Sequence, residues 1–384
     1  MTRVAVREIT CTVPHSLSPR VRTVAEECGI IIGLVQASRN VQIRERALPF
    51  LSTGISTLEE TRSDTFHLFV APEREALVMG RIIEAAGLEM ADRGTVFSRT
   101  LDFVTGSGDA EALSGCSDAV PDHVAPNGDR RPTIVEDLAG IRCIVPRGFG
   151  DTIARISLEM GTSVPSVAYG FGTGGRDRLG LLRIAISAEK EMVTVVTPAR
   201  DAELLAQQIV ENGRLNQPGT GFVYLHPVER GLVNIRLWIG SQRHAATMNQ
   251  LVAAVDGLWG DTAWRRRFPA EERQRSTDSA GVSHHLQEIT VVCPEAATRT
   301  ALRTAMERGA GGATTAHVAQ FVAMQSEKNV ASGALELTTL VVPSHRIDEI
   351  VTALAEEHTE DAAMRPKVFV GPAPWAYSYR RSAR

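Results

Sequence analysis

The chain alternates between short apolar runs rich in β-branched residues and amphipathic stretches with helical spacing, and the change falls at a proline six times: Pro14, Pro72, Pro146, Pro198, Pro294 and Pro343. The runs before them, at 8–13, 65–71, 141–145, 192–197, 288–293 and 335–342, carry residue types that fit a pleated, half-buried surface, and each predicts a strand. After the proline, apolar positions recur every three or four residues: Leu17, Val21, Val24 and Cys28 in the first case, Ile153, Ile156 and Met160 in the third, Ile347, Ile350, Val351 and Leu354 in the last. That spacing puts one buried stripe on a helix. Proline suits a helix start and glycine its left-handed end, and Gly29, Gly87, Gly161, Gly213 and Gly309 are expected at such ends.

Taken in pairs, the strand-helix units make three repeats, near 3–104, 138–240 and 284–379. Within each lies a further β-like segment, at 30–36, 164–169 and 314–321, and each closes with another that contains Phe97, Phe222 or Phe369. The expected fold is therefore α+β, with three tandem ferredoxin-like βαββαβ repeats forming a single-chain pseudo-trimer. The boundaries are 1–104 for repeat 1, 105–132 for a linker rich in Gly, Asp, Ala and Pro, 133–240 for repeat 2, 241–281 for a connector and 282–384 for repeat 3. In the connector, Met248, Leu251, Val252, Val255 and Leu258 share a helical face, followed by Trp259, Trp264 and three arginines, Arg265 to Arg267. It reads as a helix packed on the sheets, or as a docking element for a partner.

Charge and composition narrow the function. The net charge of −4, from 41 basic and 45 acidic residues, argues against a dedicated nucleic-acid binder, which gains most of its affinity by neutralising phosphates. No apolar run approaches the roughly 20 residues that span a bilayer, and the start lacks a signal-peptide pattern, so a cytoplasmic protein without direct membrane insertion is expected. The five cysteines are widely spaced and contain no CxxC pair, so they read as buried thiols, with Cys11 and Cys143 at equivalent strand positions.

The middle repeat holds an ordered series: Gly170-Phe171-Gly172-Thr173, then Ala188-Glu189-Lys190-Glu191-Met192, then Asn216 to Val223 with Pro218-Gly219-Thr220-Gly221, then His226-Pro227-Val228-Glu229. Over residues 164–233 this series resembles the P-II nitrogen-regulatory signal-transduction family. Repeats 1 and 3 share little of the motif. The resemblance implies a cytosolic sensor of ferredoxin-like subunits that binds adenine nucleotides or other small effectors in clefts between subunits. It also implies docking on a membrane transporter or enzyme through a long loop between the second and third strands.

The residues have a physical reading of their own. A turn such as 217–221 lets backbone approach a ligand, and its successive N–H groups can cradle an anion. The candidate effector-binding set is Gly170, Gly172, Thr173, Glu189, Lys190, Arg214, Gly219, Thr220, Gly221 and Arg236, and the resemblance implies an adenine nucleotide, with or without magnesium, or another anion as the effector class. Arg380 and Arg381 are further cationic candidates after the last strand of repeat 3. The corresponding turns elsewhere are poorer: repeat 1 has Asp92 and a single Gly94, and repeat 3 has no glycine between Met364 and Phe369. Loops are expected at 37–64 and 170–191, the second rich in glycine and charge, and these would meet a protein partner.

Two competing classes remain at this stage. A scaffold or interaction subunit without ligand binding is favoured by the missing loop and glycines of repeat 3. A three-repeat hydrolase would need an activated hydroxyl beside a base, and Ser326-Glu327-Lys328 is the lone close Ser/Lys pair. No metal is expected, since only His284 and His285 are adjacent histidines and no HExxH spacing occurs. The expected class is regulatory and non-enzymatic.

Overall fold

The computed structural model describes residues 2–30, 32–46, 55–90, 93–105, 134–174, 189–233, 281–321, 334–357 and 364–379. The elements run β1 (Thr2–Pro14), α1 (Ser18–Glu27), β2 (Ile32–Arg46), β3 (Ile55–Val70), α2 (Glu75–Ala86), β4 (Thr95–Thr105), β5 (Val135–Pro146) and α3 (Gly150–Glu159). They continue with β6 (Ser166–Gly174), β7 (Glu189–Pro198), α4 (Ala199–Asn212), β8 (Phe222–Leu232), β9 (Val282–Pro294) and α5 (Glu295–Glu307). The last four are β10 (Gly312–Gln320), β11 (Leu335–Pro343), α6 (Ile347–Glu356) and β12 (Lys367–Ser378). Pro14, Pro146, Pro198, Pro294 and Pro343 each stand at a strand's last residue, where a missing N–H costs no ladder bond.

Helix ends follow the expected glycines with one exception. Gly29, Gly87, Gly161 and Gly309 have φ of 58°, 63°, 79° and 96°. Gly213 has φ −78°, and Arg214 is left-handed instead, with φ 55°. Gly213 is small for a packing reason: a Cβ there would lie 2.5 Å from the Ile209 carbonyl oxygen and 2.7 Å from Ile153 on α3.

The expected fold class is corrected. The protein is not three tandem ferredoxin-like βαββαβ repeats forming a pseudo-trimer; it is mostly antiparallel sheet, 53% strand, closed into a ten-strand β-barrel. All twelve strands belong to one hydrogen-bonded sheet. The circuit runs β1-β3-β2-β10-β6-β7-β5-β8-β12-β4 and back to β1, with β11 and β9 bridging β10 to β12. The physical reason is edge pairing. Three separate four-stranded units would leave β2, β6, β10, β4, β8 and β12 with unpaired backbone groups, and closure removes such edges. Here β2 pairs β6 at Ser38↔Ala168 and β10 at Val35↔Ala319, while β4 pairs β8 at Phe97↔Gly231 and β12 at Phe103↔Phe369.

The pleat separates two environments. On β1, Ile9, Cys11 and Val13 pack with Val21, Val24, Val78 and Ile82 of α1 and α2 on the outside of the sheet. Glu8, Thr10 and Thr12 alternate with them and face the barrel interior. The α3–α4 and α5–α6 pairs cover the outside in the same way, over Ile141 and Val193 and over Ile289 and Leu340. Inside, Phe69, Phe103 and Phe369 stack at centroid separations of 4.0 and 4.9 Å, joining β3, β4 and β12. The linker and connector, apart from residues 105 and 281, lie outside the described residues.

Candidate functional site

Those predicted effector residues that are described, all but Arg236, fall at one rim of the barrel. Gly170, Gly172 and Thr173 are not in a loop: they belong to β6, which pairs β7 at Gly170↔Lys190 and β10 at Gly172↔Thr314 and Thr173↔Ala313. A Cβ at Gly170 would lie 2.7 Å from the Thr315 carbonyl oxygen, and one at Gly172 would lie 3.0 Å from Lys190 Cε. These glycines thus let β10 approach β6 and let the Lys190 stem cross the strand. Glu189 accepts from Arg147, with Nη1 to Oε2 at 3.0 Å.

The turn between α4 and β8 exposes Gln217, Pro218 and Gly219, with Gly219 at φ 76°. The Thr220 hydroxyl donates to the Gln217 carbonyl at 2.8 Å. Gly221 is required by close approach, since a Cβ there would sit 2.9 Å from the Ile144 carbonyl oxygen of β5. The end of β5 is therefore flanked on one side by β7, at Pro146↔Lys190, and on the other by β8, at Ile144↔Phe222. Two strand spacings separate the flanks, about 10 Å. Arg214 is exposed beside the turn. Arg236, Arg380 and Arg381 lie outside the described residues, as do Ser326 and Lys328.

Several residues at this rim escaped the sequence reading. Tyr169 and Phe171 are exposed on one face of β6, and Phe149 is exposed at the start of α3. The Arg147 guanidinium lies 5.9 Å from the Tyr169 ring centroid, and His317 meets Phe171 edge-on at 5.8 Å. Glu191, 3% exposed, accepts from the backbone N–H of Gly148 at 3.0 Å and Gly150 at 2.7 Å, so it satisfies donors at the N-terminus of α3. Its other oxygen accepts from Arg39 at 3.1 Å, and Arg39 also donates to Glu60 at 2.8 Å and Asp151 at 2.5 Å. Burial works against the Arg39 charge, but hydrogen bonding and attraction to Asp151 outweigh it and keep the guanidinium protonated. Asp64, opposite Val13 as Glu191 is opposite Val145, accepts from His15 Nδ1 at 2.7 Å and from the Ser18 hydroxyl at the start of α1.

A second polar assembly fills a layer inside the barrel. Arg99 donates to Glu8 at 2.5 Å and to Glu288 at 2.6 and 3.1 Å. Arg142 donates to Glu288 at 3.2 Å and to the Tyr224 hydroxyl at 3.1 Å, while His67 Nδ1 and Glu8 lie 2.8 Å apart. Burial alone would raise both carboxyls, but Arg99 holds Glu8 well below the usual carboxylate range and, with Arg142, holds Glu288 at about 2. Burial, with the two arginines adding to it, pushes His226 down to about 3, so its imidazole is neutral. Gly140 stands where β1 and β9 carry Glu8 and Glu288, and a Cβ there would lie 2.1 Å from the His226 ring.

Comparison with known proteins gives no family. No family model matches the chain, and no curated protein matches it. Among solved structures, the chain is similar to B. subtilis GlnK, a P-II protein, over 27% of its own length and 90% of that chain, at 5% identity and a TM-score of 0.23. It is similar to aspartate kinase from Synechocystis over 96% of its own length but 43% of that chain, at 9% identity and a TM-score of 0.21. Among the described residues, no helix is long and apolar enough to cross a membrane, and no three His, Cys, Asp or Glu side chains group as a metal site.

The chemistry available differs between the two assemblies. The rim offers exposed rings, the cations Arg147, Lys190 and Arg214, and a glycine turn with accessible backbone. The interior offers fixed, charge-balanced hydrogen bonds. Cys11, Cys28, Cys143 and Cys293 are buried, and burial raises the Cys143 thiol to about 12 and that of Cys11 further, so neither is poised as a nucleophile.

Proposed function

We propose that this protein is a P-II-like regulatory protein that binds a small effector, an adenine nucleotide or other anion, at the rim formed by β5, β6, β7 and the 217–221 turn. The observation that carries this reading is the flanking of one strand end, Ile144 to Pro146, by Lys190 on one side and the exposed glycine turn on the other. The turn's backbone N–H groups suit a phosphate or other anion, with Arg214 and Lys190 adding charge. Tyr169 and Phe171 offer ring faces for a base. The resemblance of residues 164–233 to P-II proteins supports the same reading, and magnesium would accompany a nucleotide triphosphate.

Regulation then works by population shift. An effector that prefers one arrangement of the segment between β6 and β7 changes a partner's affinity by the coupling energy, typically ~1–3 kcal/mol. The partner is a membrane transporter or an enzyme reached through this segment and the one between β2 and β3. No catalytic step is assigned to the chain.

Isothermal titration of the full chain with ATP, ADP, AMP, cyclic nucleotides, S-adenosylmethionine, bicarbonate and 2-oxoglutarate with magnesium tests the reading. Binding near one equivalent, abolished by Gly219→Asp and weakened by Arg214→Glu, is the expected result. Gly221→Asp is a poor probe, because its side chain would clash with β5. A folded protein that binds nothing in the panel would overturn the sensor reading. It would favour a scaffold, for which the exposed Phe149, Tyr169 and Phe171 supply contact surface, and a pull-down would then read its partners.

A further inference from the structure

A cavity of about 50 Å³ lies inside the barrel, lined by residues of β1 to β7 and of β11, none of them among the rim residues named above. Its walls carry the hydroxyls of Thr10, Thr12, Thr65 and Thr339, each at most 7% exposed, and Arg142 borders it. Thr95, Ser166 and Thr194 also line it and are only half-buried, so they form its mouth. A site of this size, with hydroxyls among apolar side chains, holds a few water-sized groups, and polar groups persist there only where hydrogen-bond partners await them.

One partner is left over. His67 is 6% exposed and lines the cavity. Its Nδ1 faces the Glu8 carboxylate at 2.8 Å, whereas its buried Nε2 has no hydrogen-bond partner. Nε2 carries either a lone pair or an N–H, and in both cases it requires a hydrogen-bond partner. A buried polar atom left without a hydrogen bond destabilises the fold unless something fills the place.

The surrounding charges restrict what can enter. Arg99 and Arg142 are already matched by Glu8 and Glu288. A net charge brought into this layer would lose its hydration. Neutral groups that both donate and accept meet the threonine hydroxyls without that penalty.

We propose that the cavity is a second ligand site, which takes one small uncharged molecule bearing hydroxyl or amide groups, of the size of glycerol or acetamide, hydrogen-bonded to His67 Nε2. The site does not depend on the rim reading, and the two fail separately. Entry is through the gap bounded by Thr95, Ser166 and Thr194. Thr339 holds the ligand from below.

Saturation-transfer NMR on the full chain with glycerol and acetamide, and with acetate and nitrate as the charged arm, tests the proposal. Saturation of a neutral probe is expected with the wild type. It should fall more than tenfold with Thr194→Leu, which closes the mouth, and three- to tenfold with the isosteric Thr339→Val. Thermal unfolding of each variant reports whether the barrel is intact, and titration with the nucleotide panel should be unchanged. The proposal is overturned if neither neutral probe saturates, if Thr194→Leu binds as well as the wild type, or if acetate and nitrate bind and the neutral probes do not.

Discussion

Inside the barrel, Arg99 is 4% exposed and donates to two carboxylates that are themselves 1–2% exposed; at the rim, Arg147 meets Glu189 with side chains 61% and 49% exposed. The residue types are the same and the geometry of each contact is sound, yet the energetic consequences differ. A buried guanidinium has surrendered its hydration, so removing it strands its partners in low dielectric. An exposed pair that is broken exchanges one partner for water at little cost. The interior polar layer therefore specifies how strands far apart in the chain meet. The rim pair keeps its charges in contact with water.

The sharpest way to break this contrast is Arg99→Met. It leaves Glu8 and Glu288 without their main partner and should cost about 3–5 kcal/mol, read as a fall in the urea midpoint. Adding Glu8→Gln and Glu288→Gln should restore much of the loss, because the penalty comes from stranded charge. A small effect of Arg99→Met alone would mean that water reaches the layer.

Acid should act on the interior next. His226 has a folded value near 3 against an ordinary 6.5, so the unfolded chain takes up a proton that the folded one refuses. Its contribution is complete above pH 6.5 and is lost as pH falls toward 3; that of Glu288, ordinarily 4.5 and about 2 when folded, is lost between those values. Urea midpoints measured from pH 7 to 3 should therefore decline, and His226→Phe should flatten the part between 6.5 and 4.5. An unchanged slope in that variant would place the acid sensitivity elsewhere.

Arg39 lies between the two extremes, at 9% exposure and with partners from three segments. Arg39→Ala should cost about 1–3 kcal/mol, less than Arg99→Met, because Glu191 keeps its two backbone donors. The smallest effect is expected for Arg147→Ala, which should leave the unfolding midpoint within error while weakening effector binding in the titration. A marked loss of stability there would turn the rim pair into a structural one.

The elements were legible because their signals are short-range. Each predicted strand segment lies wholly or largely within a strand, and five of the six prolines stand at strand ends. The loops were less legible: 170–174 read as a mobile glycine stretch, yet β10 supplies a second ladder that makes it strand. The interior layer was the least legible. In the run from Arg7 to Pro14, alternation of Glu8, Thr10 and Thr12 with Ile9, Cys11 and Val13 has the period of a half-exposed strand. Local pattern assigns the polar set to solvent. Closure of the sheet turns that face inward, so charged residues that look ordinary in sequence become the most tightly bound in the molecule.

By itself, the sequence determined that strand and helix alternate around the prolines and which face of each helix is apolar, since these depend on neighbours a few residues away; it did not determine how far the strands run, for β2 and β3 occupy most of the loop expected at 37–64. Only the tertiary structure decided that the sheet closes into a barrel and which charges meet inside it. Arg99 finds Glu8 across 91 positions and Glu288 across 189. Partners at that separation are chosen by strand register and edge pairing, which no local window of residues contains.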